Sequence, residues 1–223
     1  DISILGRLVR WIDNGIEFEA DSKHRKLIME YFGFTDDSKS LSNNGEIGKK
    51  NEDWRDEDLS RQEIKEFRGI AARLNFFSQD SPDLQFTIKQ CCRDMANPTL
   101  GAFTEMKKVA RYLIQRKSVI WEYRYQDPPK YAHLVTDSDW GGTEENRKST
   151  SGGAWMLGNH CIKTWAAKQG AVALSSAEAE FYAMVEGVTR AKGLASIARE
   201  MGFGDISEVV RLSTDSEAAK QFV

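Results

Sequence analysis

Val135-Thr-Asp-Ser-Asp-Trp140 is the stretch that decides the fold of this chain, because a short apolar run ends there in acidic residues. Two stretches of the same character follow it, Ser175-Ser-Ala-Glu-Ala-Glu-Phe181 and Leu212-Ser-Thr-Asp-Ser216. Each places a carboxylate where an apolar strand ends or a helix begins. Three carboxylates brought together from such positions can hold divalent metal ions at one edge of a sheet. The three stretches therefore predict a metal centre built on an α/β fold.

The elements around these stretches are predicted from turn residues and apolar spacing. Gly158-Asn159 separates two short apolar runs and is typical of a hairpin turn. One helical stripe is predicted before a stop at Gly202, formed by Met184, Val188, Ala191, Ala195 and Ala198. The predicted strands are residues 131–136, 152–157, 161–166 and 209–213, and the predicted helices are residues 176–202 and 217–222. This order predicts a mixed sheet, a three-strand antiparallel meander plus one parallel strand, with flanking helices.

The preceding region has mainly helical patterns. Ser22 is the predicted N-cap of one helix that stops at Gly33, and Ser60 with Glu63 has the spacing of a capping box at the start of another. Further helical spacing follows in residues 84–95 and 103–113, and residues 119–125 are predicted to form a strand. The polar residues 36–58 are typical of a loop or a poorly ordered segment. We therefore predict two domains, residues 1–127 and residues 129–223, joined near residues 126–129.

Bulk composition narrows the class of protein. Charged residues make up 29% of the 223 and hydrophobic residues 40%, which is ordinary for a globular protein. No apolar run is long enough to cross a membrane, and no secretory signal opens the chain. The three cysteines lack metal-ligand spacing, so we expect them to be reduced and the protein to be intracellular. The chain lacks an initial Met and ends within an apolar pattern, so we expect a piece of a longer protein, incomplete at its C-terminus.

Charge is distributed unevenly along the chain. The net charge is −3, yet residues 85–117 contain seven basic and two acidic residues. Lys107, Lys108 and Arg111 lie in the most basic helical part of this segment, which is a candidate for contact with nucleic acid phosphates. The alternative is a helix face that is simply solvated.

The candidate chemistry rests on Asp137, Glu180 and Asp215. Two of these follow predicted strands, and if those strands are parallel neighbours, both carboxylates emerge at one edge of the sheet. Glu180 lies in the first turns of the long helix, where its side chain can reach that edge. Two Mg²⁺ ions held there would serve phosphodiester cleavage, and the sequence has none of the common motifs for a nucleophilic side chain. Each carboxylate alone also fits a turn or a helix cap, Asp215 as an N-cap in particular.

Longer motifs around these residues resemble the ribonuclease H domain of copia-type LTR retrotransposon Pol polyproteins. They are Thr136-Asp-Ser-Asp-Trp-Gly-Gly142, Arg147-Lys-Ser-Thr-Ser-Gly-Gly153, Lys163-Thr-Trp165 with Lys168-Gln169, and Ala173-Leu-Ser-Ser-Ala-Glu-Ala-Glu-Phe-Tyr182. A looser resemblance, to the connecting or thumb-like region after the reverse transcriptase, covers residues 1–127. It rests on Gly15-Ile-Glu-Phe-Glu-Ala-Asp21 with His24-Arg25, and on Tyr112-Leu113.

The resemblance implies removal of the RNA strand from RNA–DNA hybrids. Asp137, Glu180 and Asp215 would then be the catalytic carboxylates and the ligands of two Mg²⁺ ions, with Mn²⁺ as the other candidate ion. Asp139 and Glu178 are weaker candidates. The implied partners are the hybrid and the upstream reverse transcriptase domain of the same polyprotein, in the cytoplasm or within retroelement particles. The candidate contacts with nucleic acid are Arg147, Lys148, Ser149, Thr150 and Ser151.

The chain departs from the family in ways that leave alternatives open. The family has a fourth carboxylate, a further strand and a covering helix, which we expect beyond Val223. Asp36-Asp37 lacks the flanking strands of a polymerase site, so no polymerase activity is predicted. One alternative is an inactive retroelement relic that acts only as a nucleic-acid-binding module. Another is an integrase- or resolvase-like nuclease of the same broad fold, which the long motifs disfavour.

Overall fold

Two compact units make up the structure, which is a computed structural model describing residues 1–42, 57–142, 146–203 and 209–222. The first unit is Asp1–Tyr123 and the second is Arg124–Val223. Most of the polar segment predicted at residues 36–58 lies outside the described residues. No helix in the described ranges is long and apolar enough to cross a membrane.

The first unit combines helices with a small sheet. Its strand order is β1-β2-β3-β4, with β1 to β3 antiparallel. The strands are β1 Ile2–Ile4, β2 Arg7–Ile12, β3 Gly15–Glu19 and β4 Ile120–Arg124, and the helices are α1 Ser22–Tyr31, α2 Arg61–Phe77, α3 Pro82–Arg93 and α4 Leu100–Gln115. The four helices and β4 agree with the sequence patterns, whereas β1 to β3 were not predicted from them.

Caps and apolar stripes explain where these helices form. The capping box of Ser60 and Glu63 is present at the start of α2. The cap of α1 is Asp21, whose side chain accepts from Lys23 N, so the prediction of a serine cap was wrong. The apolar faces of α1 to α4 form one core, whose largest fully buried members are Ile28, Phe67, Leu74, Leu84, Ile88, Met106, Val109 and Leu113.

The second unit contains the predicted mixed sheet. Its strand order is β7-β6-β5-β8, in which β5 pairs with β6 antiparallel and with β8 parallel. The elements are β5 Ala132–Asp139, β6 Thr150–Leu157, β7 His160–Lys168, α5 Ser176–Glu200, β8 Val210–Ser213 and α6 Glu217–Lys220. The core consists of Ala132, Leu134, Trp155, Trp165 and Ala191. The α/β fold class is confirmed, and the sheet with its flanking helices is compatible with a ribonuclease H-like fold.

Two strands are longer than predicted, and this changes where site residues lie. β5 continues to Asp139 because Asp137 pairs with Gly152 and Asp139 pairs with Thr150 of β6. Asp137 therefore lies within a strand rather than after it. Thr150 likewise lies inside β6, although it was predicted to precede that strand.

Helix α5 approaches the sheet closely at one glycine. An added Cβ at Gly187 would lie 2.6 Å from Cγ2 of Thr136, so this position has room only for hydrogen. The buried stripe of α5 accordingly passes through Gly187 and not through the predicted Val188, which is partly exposed. Glu180 lies on the same buried stripe, two turns toward the start of the helix. The close approach at Gly187 thus directs Glu180 to the end of β5.

Candidate metal centre

Three carboxylates from three separate elements converge in the second unit. Asp137 comes from β5, Glu180 from α5, and Asp215 from the segment between β8 and α6. One oxygen of each lies within 4.8 Å of the other two. Asp137 and Asp215 are exposed, whereas Glu180 is only 8% exposed. The structure therefore brings together the three residues that the sequence placed at one edge of the sheet.

The end of β8 creates the space that Glu180 fills. β8 pairs with β5 only as far as Ser213 opposite Val135, so no residue of β8 stands beside Ser138. The backbone N–H of Ser138 donates instead to Oε1 of Glu180 at 3.0 Å. A carboxylate thus takes the place of a strand partner, which satisfies the partly buried backbone donor of Ser138.

Two hydroxyl groups also orient Glu180. Ser138 Oγ donates to Glu180 Oε1 at 2.7 Å, and Thr214 Oγ1 donates to Glu180 Oε2 at 3.4 Å. Burial raises the pKa of Glu180 above its usual value, the hydrogen bonds from Ser138 oppose that rise, and the charges of Asp137 and Asp215 add to it. The carboxylate is therefore fixed in position within a region of concentrated negative charge.

Asp215 does not cap the last helix. The N-cap of α6 is Ser216, whose Oγ accepts from Ala219 N at 3.1 Å. The structural alternative considered for Asp215 was therefore wrong. Its position beside Glu180 and Asp137 needs another explanation.

The two weaker candidates, Asp139 and Glu178, have other partners. Asp139 Oδ1 accepts from the backbone N–H of Thr150. Glu178 Oε2 accepts from Leu174 N at 2.7 Å and its Oε1 accepts from the Tyr182 hydroxyl, while Ser175 caps the helix. Both carboxylates thus stabilise local structure, one at the end of β5 and the other at the start of α5.

The stretch from Arg147 to Ser151 divides into exposed and buried residues. Ser149, Thr150 and Ser151 are buried, so their side chains do not lie on an exposed surface, which their predicted contact with nucleic acid would require. Ser149 Oγ accepts from Gly141 N at 3.0 Å, which fixes the turn after β5. Lys148 donates to the carbonyl of Gly170, and Arg147 is exposed. Most of this motif therefore holds the strand ends together.

The basic residues predicted on α4 belong to the first unit. Lys107 and Arg111 are exposed. Lys108 is partly buried and forms an ion pair with Glu105 at 2.6 Å. The guanidinium of Arg111 lies 5.8 Å from the ring centroid of Phe34. Lys107 and Arg111 thus remain candidates for contact with phosphates, while Lys108 has a partner within its own helix.

Sequence reasoning did not identify the polar side chains that support the centre. Ser138 and Thr214 were quoted only as neighbours of the acidic residues. Gln169 was only part of the family motif, yet its buried Nε2 donates to Ser151 Oγ at 3.1 Å and to the Ala179 carbonyl at 2.8 Å. It thereby ties β6 to the first turn of α5, next to Glu180. A hydroxyl residue beside each acidic residue was the available signal for Ser138 and Thr214.

The donor set fits a hard divalent cation. Carboxylate oxygens are the ligands that Mg²⁺ and Mn²⁺ prefer, and three of them stand close enough to share an ion. Like charges gathered at this distance repel one another unless a cation or protons compensate them. The hydroxyl donors to Glu180 resemble the outer contacts that orient metal ligands in proteins. Asp137, Glu180 and Asp215 could therefore hold a metal ion.

Several known proteins are similar to this chain, among them a retrotransposon Pol polyprotein. No protein-family model matches the chain. The chain is 32% identical over 121 residues to an uncharacterized mitochondrial protein of Arabidopsis thaliana, covering 53% of this chain and 49% of that protein. It is 28% identical over 137 residues to the retrovirus-related Pol polyprotein from transposon RE2 of the same plant, covering 61% of this chain and 9% of the polyprotein. The chain thus spans about half the length of the first relative and under a tenth of the second.

A third relative is covered over most of its length. The chain is 32% identical over 110 residues to secreted RxLR effector protein 161 of Plasmopara viticola. The alignment covers 49% of this chain and 77% of the effector.

Proposed function

The chain belongs to the family of these relatives and has its origin in a retrotransposon Pol polyprotein, and from this premise we propose that it is a metal-dependent endonuclease that cleaves the RNA strand of RNA–DNA hybrids. The observation that carries the proposal is the convergence of Asp137, Glu180 and Asp215 within 4.8 Å. The substrate, an RNA–DNA hybrid, is proposed because residues 129–223 resemble the ribonuclease H domain of copia-type elements.

The three carboxylates have distinct roles in this proposal. Exposed Asp137 and Asp215 face the solvent from which a phosphate group arrives, and they hold Mg²⁺ or Mn²⁺ together with Glu180. Bound divalent ions, two by the family resemblance, supply an activated water and compensate charge on the leaving oxygen. Glu180 is held by Ser138 and Thr214, so its oxygens are fixed before a ligand arrives. Ser138 is thus a positioning residue for the centre.

The rest of the proposal concerns partners. Residues 1–127 would be the connecting or thumb-like region that follows a reverse transcriptase domain in the same polyprotein. Exposed Lys107 and Arg111 of α4 would contact the phosphates of the hybrid. Replacing Lys107, Lys108 and Arg111 together by Gln should weaken hybrid binding and lower its salt dependence. An unchanged salt slope would mean that this face is only solvated.

Cleavage of a hybrid with a labelled RNA strand tests the activity. With Mg²⁺ or Mn²⁺, the chain together with the fourth carboxylate and covering helix that the family resemblance implies should cut the RNA strand of the hybrid and leave a DNA duplex intact. Asp137→Asn, Glu180→Gln and Asp215→Asn should each lower the rate by at least about 100-fold, because loss of an outer contact alone costs roughly 10- to 100-fold. Ser138→Ala should show that smaller effect. Glu217→Gln is the matched control, because Glu217 is an exposed carboxylate near Asp215 that pairs with Lys220.

Metal binding gives a second measurement that does not depend on activity. Mn²⁺ should raise the melting temperature of the wild-type chain and of Glu217→Gln, but not of the three carboxylate variants. If Mn²⁺ stabilises wild type and Asp137→Asn equally and no RNA is cut, the assignment of the centre is wrong.

A second candidate function is a non-catalytic nucleic-acid-binding module. The relative from Plasmopara viticola, covered over 77% of its length, is named as a secreted effector rather than as a polyprotein, which shows that the family includes proteins under other descriptions. This candidate predicts that the chain binds the hybrid, cleaves nothing, and binds equally well after Asp137→Asn.

A further inference from the structure

Trp140 is an exposed aromatic residue directly after the strand that bears Asp137. Trp140 is 52% exposed, whereas Trp155 and Trp165 of the same unit are buried in the core. An indole exposed to this degree leaves a large apolar surface in water without a contribution to the core. Trp11 is similarly exposed, so exposure alone does not single out Trp140; its place directly after the strand that bears Asp137 does.

The indole of Trp140 is held in place although it is exposed. Its Nε1 donates to the carbonyl of Ala173 at 3.1 Å, and Ala173 is buried just before the start of α5. The polar edge of the ring is thus bound to the protein and the apolar face is left outward. An aromatic ring fixed in this way loses little conformational freedom when it binds a ligand.

Arg147 lies beside the same turn. The guanidinium packs over Gly141, since an added Cβ there would lie 3.0 Å from Nη2 of Arg147. Gly141 has φ of +61° and follows Trp140 directly, so the aromatic ring and the guanidinium flank one tight turn. A positive charge and an exposed aromatic face thus occur together at the end of β5.

The backbone of Arg147 is strained. Its φ is +53°, in the left-handed region that disfavours residues with a side chain. Strain of this kind persists where the surrounding structure imposes it, and it is concentrated at functional sites. Glycine would adopt this conformation more easily, so an arginine here indicates a use for its side chain.

The spacing along β5 relates this surface to the carboxylates. Trp140 is three residues after Asp137, which is about 10 Å along an extended strand. That distance corresponds to a few nucleotides, since the axial rise of a B-form duplex is about 3.4 Å per base pair. A duplex whose phosphate lies at the carboxylates therefore has a nucleotide of the same strand within reach of Trp140.

We propose that Trp140 and Arg147 form a substrate-positioning surface of the nuclease, in which the indole packs against a nucleotide of the RNA–DNA hybrid and the guanidinium pairs with a neighbouring phosphate. This inference rests on the proposed function, because it takes the hybrid as the ligand. The two contacts differ in kind: aromatic packing on a nucleotide is insensitive to salt, whereas a phosphate contact releases counterions and weakens with salt.

Binding of a short fluorescein-labelled RNA–DNA hybrid, measured by anisotropy in EDTA so that no cleavage occurs, tests the proposal. The base faces of a duplex are already stacked, so the indole would pack against a sugar in the groove, and Trp140→Ala should raise Kd roughly tenfold with an unchanged salt slope. Trp140→Phe, which keeps an aromatic face but loses the bond to Ala173, should retain most of the affinity. Arg147→Gly should weaken binding and lower the salt slope by about 1. Glycine adopts the backbone conformation of Arg147 without strain, so the melting temperature of Arg147→Gly should not fall. A weaker affinity of this variant would then reflect a lost contact with the hybrid and not a loss of the fold.

The matched control is Trp11→Ala, which removes a similarly exposed tryptophan, 56% exposed, from β2 of the first unit. Its Kd should equal that of wild type. An equal Kd for Trp140→Ala and wild type, with the fold intact, overturns the inference while leaving the proposed function in place. A wild-type chain that shows no affinity for the hybrid would instead contradict the proposed function itself.

Discussion

The two units of this chain use charged residues in opposite ways. In the first unit, buried or half-buried charges have opposite partners, such as Arg7 with Asp80 at 2.8 Å and Arg116 with Asp83 at 2.8 Å. In the second unit, three carboxylates share one small region. Paired charges stabilise a fold or cost it little, whereas like charges gathered together cost it free energy. The comparison contrasts ion pairs that stabilise the first unit with three carboxylates of the second unit that could hold a metal ion.

The hydrophobic cores of the two units differ in the size of their side chains. The first core is built from large side chains, among them Phe67, Leu74 and Met106. The second contains several small ones, and α5 approaches β5 through Ala183, Gly187 and Ala191. Small residues let the helix lie close to the sheet, and this closeness brings Glu180 to the end of β5.

The largest effect on stability is expected from Arg25 in the first unit. Arg25 is only 7% exposed, and it donates to the carbonyls of Leu113 and Ile114 at the end of α4. Arg25→Met leaves both carbonyls without this donor, so the free energy of unfolding should fall by about 2–4 kcal/mol. Urea unfolding measures the loss, and hydrogen exchange should localise it to residues 1–123.

Lys26→Met is the control for this change, because Lys26 is the exposed neighbour on the same helix. It should change the free energy of unfolding by less than about 0.5 kcal/mol. Equal effects of the two substitutions would show that the charge of Arg25 does not serve the fold, and the comparison between the units would fail on that side.

A smaller effect is expected from two glycines of α5. Gly187→Ala places a Cβ 2.6 Å from Thr136 Cγ2 and 3.2 Å from Leu134 Cδ2, so the helix must move away from the sheet. The second unit should lose about 1–2 kcal/mol, and the stabilisation by Mn²⁺ should decrease because Glu180 moves with the helix. Thermal unfolding with and without Mn²⁺ measures both.

Gly193→Ala is the matched control within the same helix. An added Cβ there meets nothing within 4 Å. The higher helix propensity of alanine should therefore stabilise the second unit by about 0.5–1 kcal/mol, with the response to Mn²⁺ unchanged. Opposite signs for the two glycines would confirm that close approach, and not helix propensity, positions Glu180.

Local patterns predicted the frame of the second unit. Gly158-Asn159 correctly predicted the turn between β6 and β7, and Gly202, with φ of +89°, follows Met201, the C-cap of α5. The strands β1 to β3 escaped prediction because they are only three to six residues long. Apolar and polar residues alternate in β1 and β3, but runs this short are weak signals of a strand, and the pattern of β2 is irregular. Their order depends on pairing between strands, which composition does not reveal.

The candidate metal centre could also be predicted only in part from the sequence. The strand order was enough to place Asp137 and Asp215 at one edge of the sheet. The burial of Ser149 and Ser151 could not be predicted, because it depends on Gln169 and Gly141 from other parts of the chain. The hydroxyl donors to Glu180 were equally hidden, since they depend on where β8 stops relative to β5. Sequence thus indicates which residues are acidic and near strand ends, and tertiary structure decides which of their neighbours support them.

The smallest change in the free energy of unfolding is expected for Glu180→Gln. This variant should stabilise the metal-free chain, whereas Arg25→Met should destabilise it. The pKa of Glu180 is raised mainly by burial, so the folded protein holds this proton more tightly than the unfolded chain does. The free energy of unfolding should therefore fall as the pH rises from the usual glutamate pKa to the raised one, and it should stay lower above that window. Glu180→Gln removes this titration and can still accept from Ser138. At neutral pH without metal, the variant should be more stable than wild type by on the order of 1 kcal/mol.

With divalent ions present, wild type should become more stable than Glu180→Gln. Mn²⁺ compensates the charge of the wild-type centre and should stabilise it, whereas Glu180→Gln should respond weakly. Urea unfolding across the acidic pH range, with EDTA or Mn²⁺, measures both effects, and Glu217→Gln should follow wild type throughout. If Glu180→Gln destabilises the metal-free chain at neutral pH as Arg25→Met does, Glu180 serves the fold, and the contrast between the two units disappears.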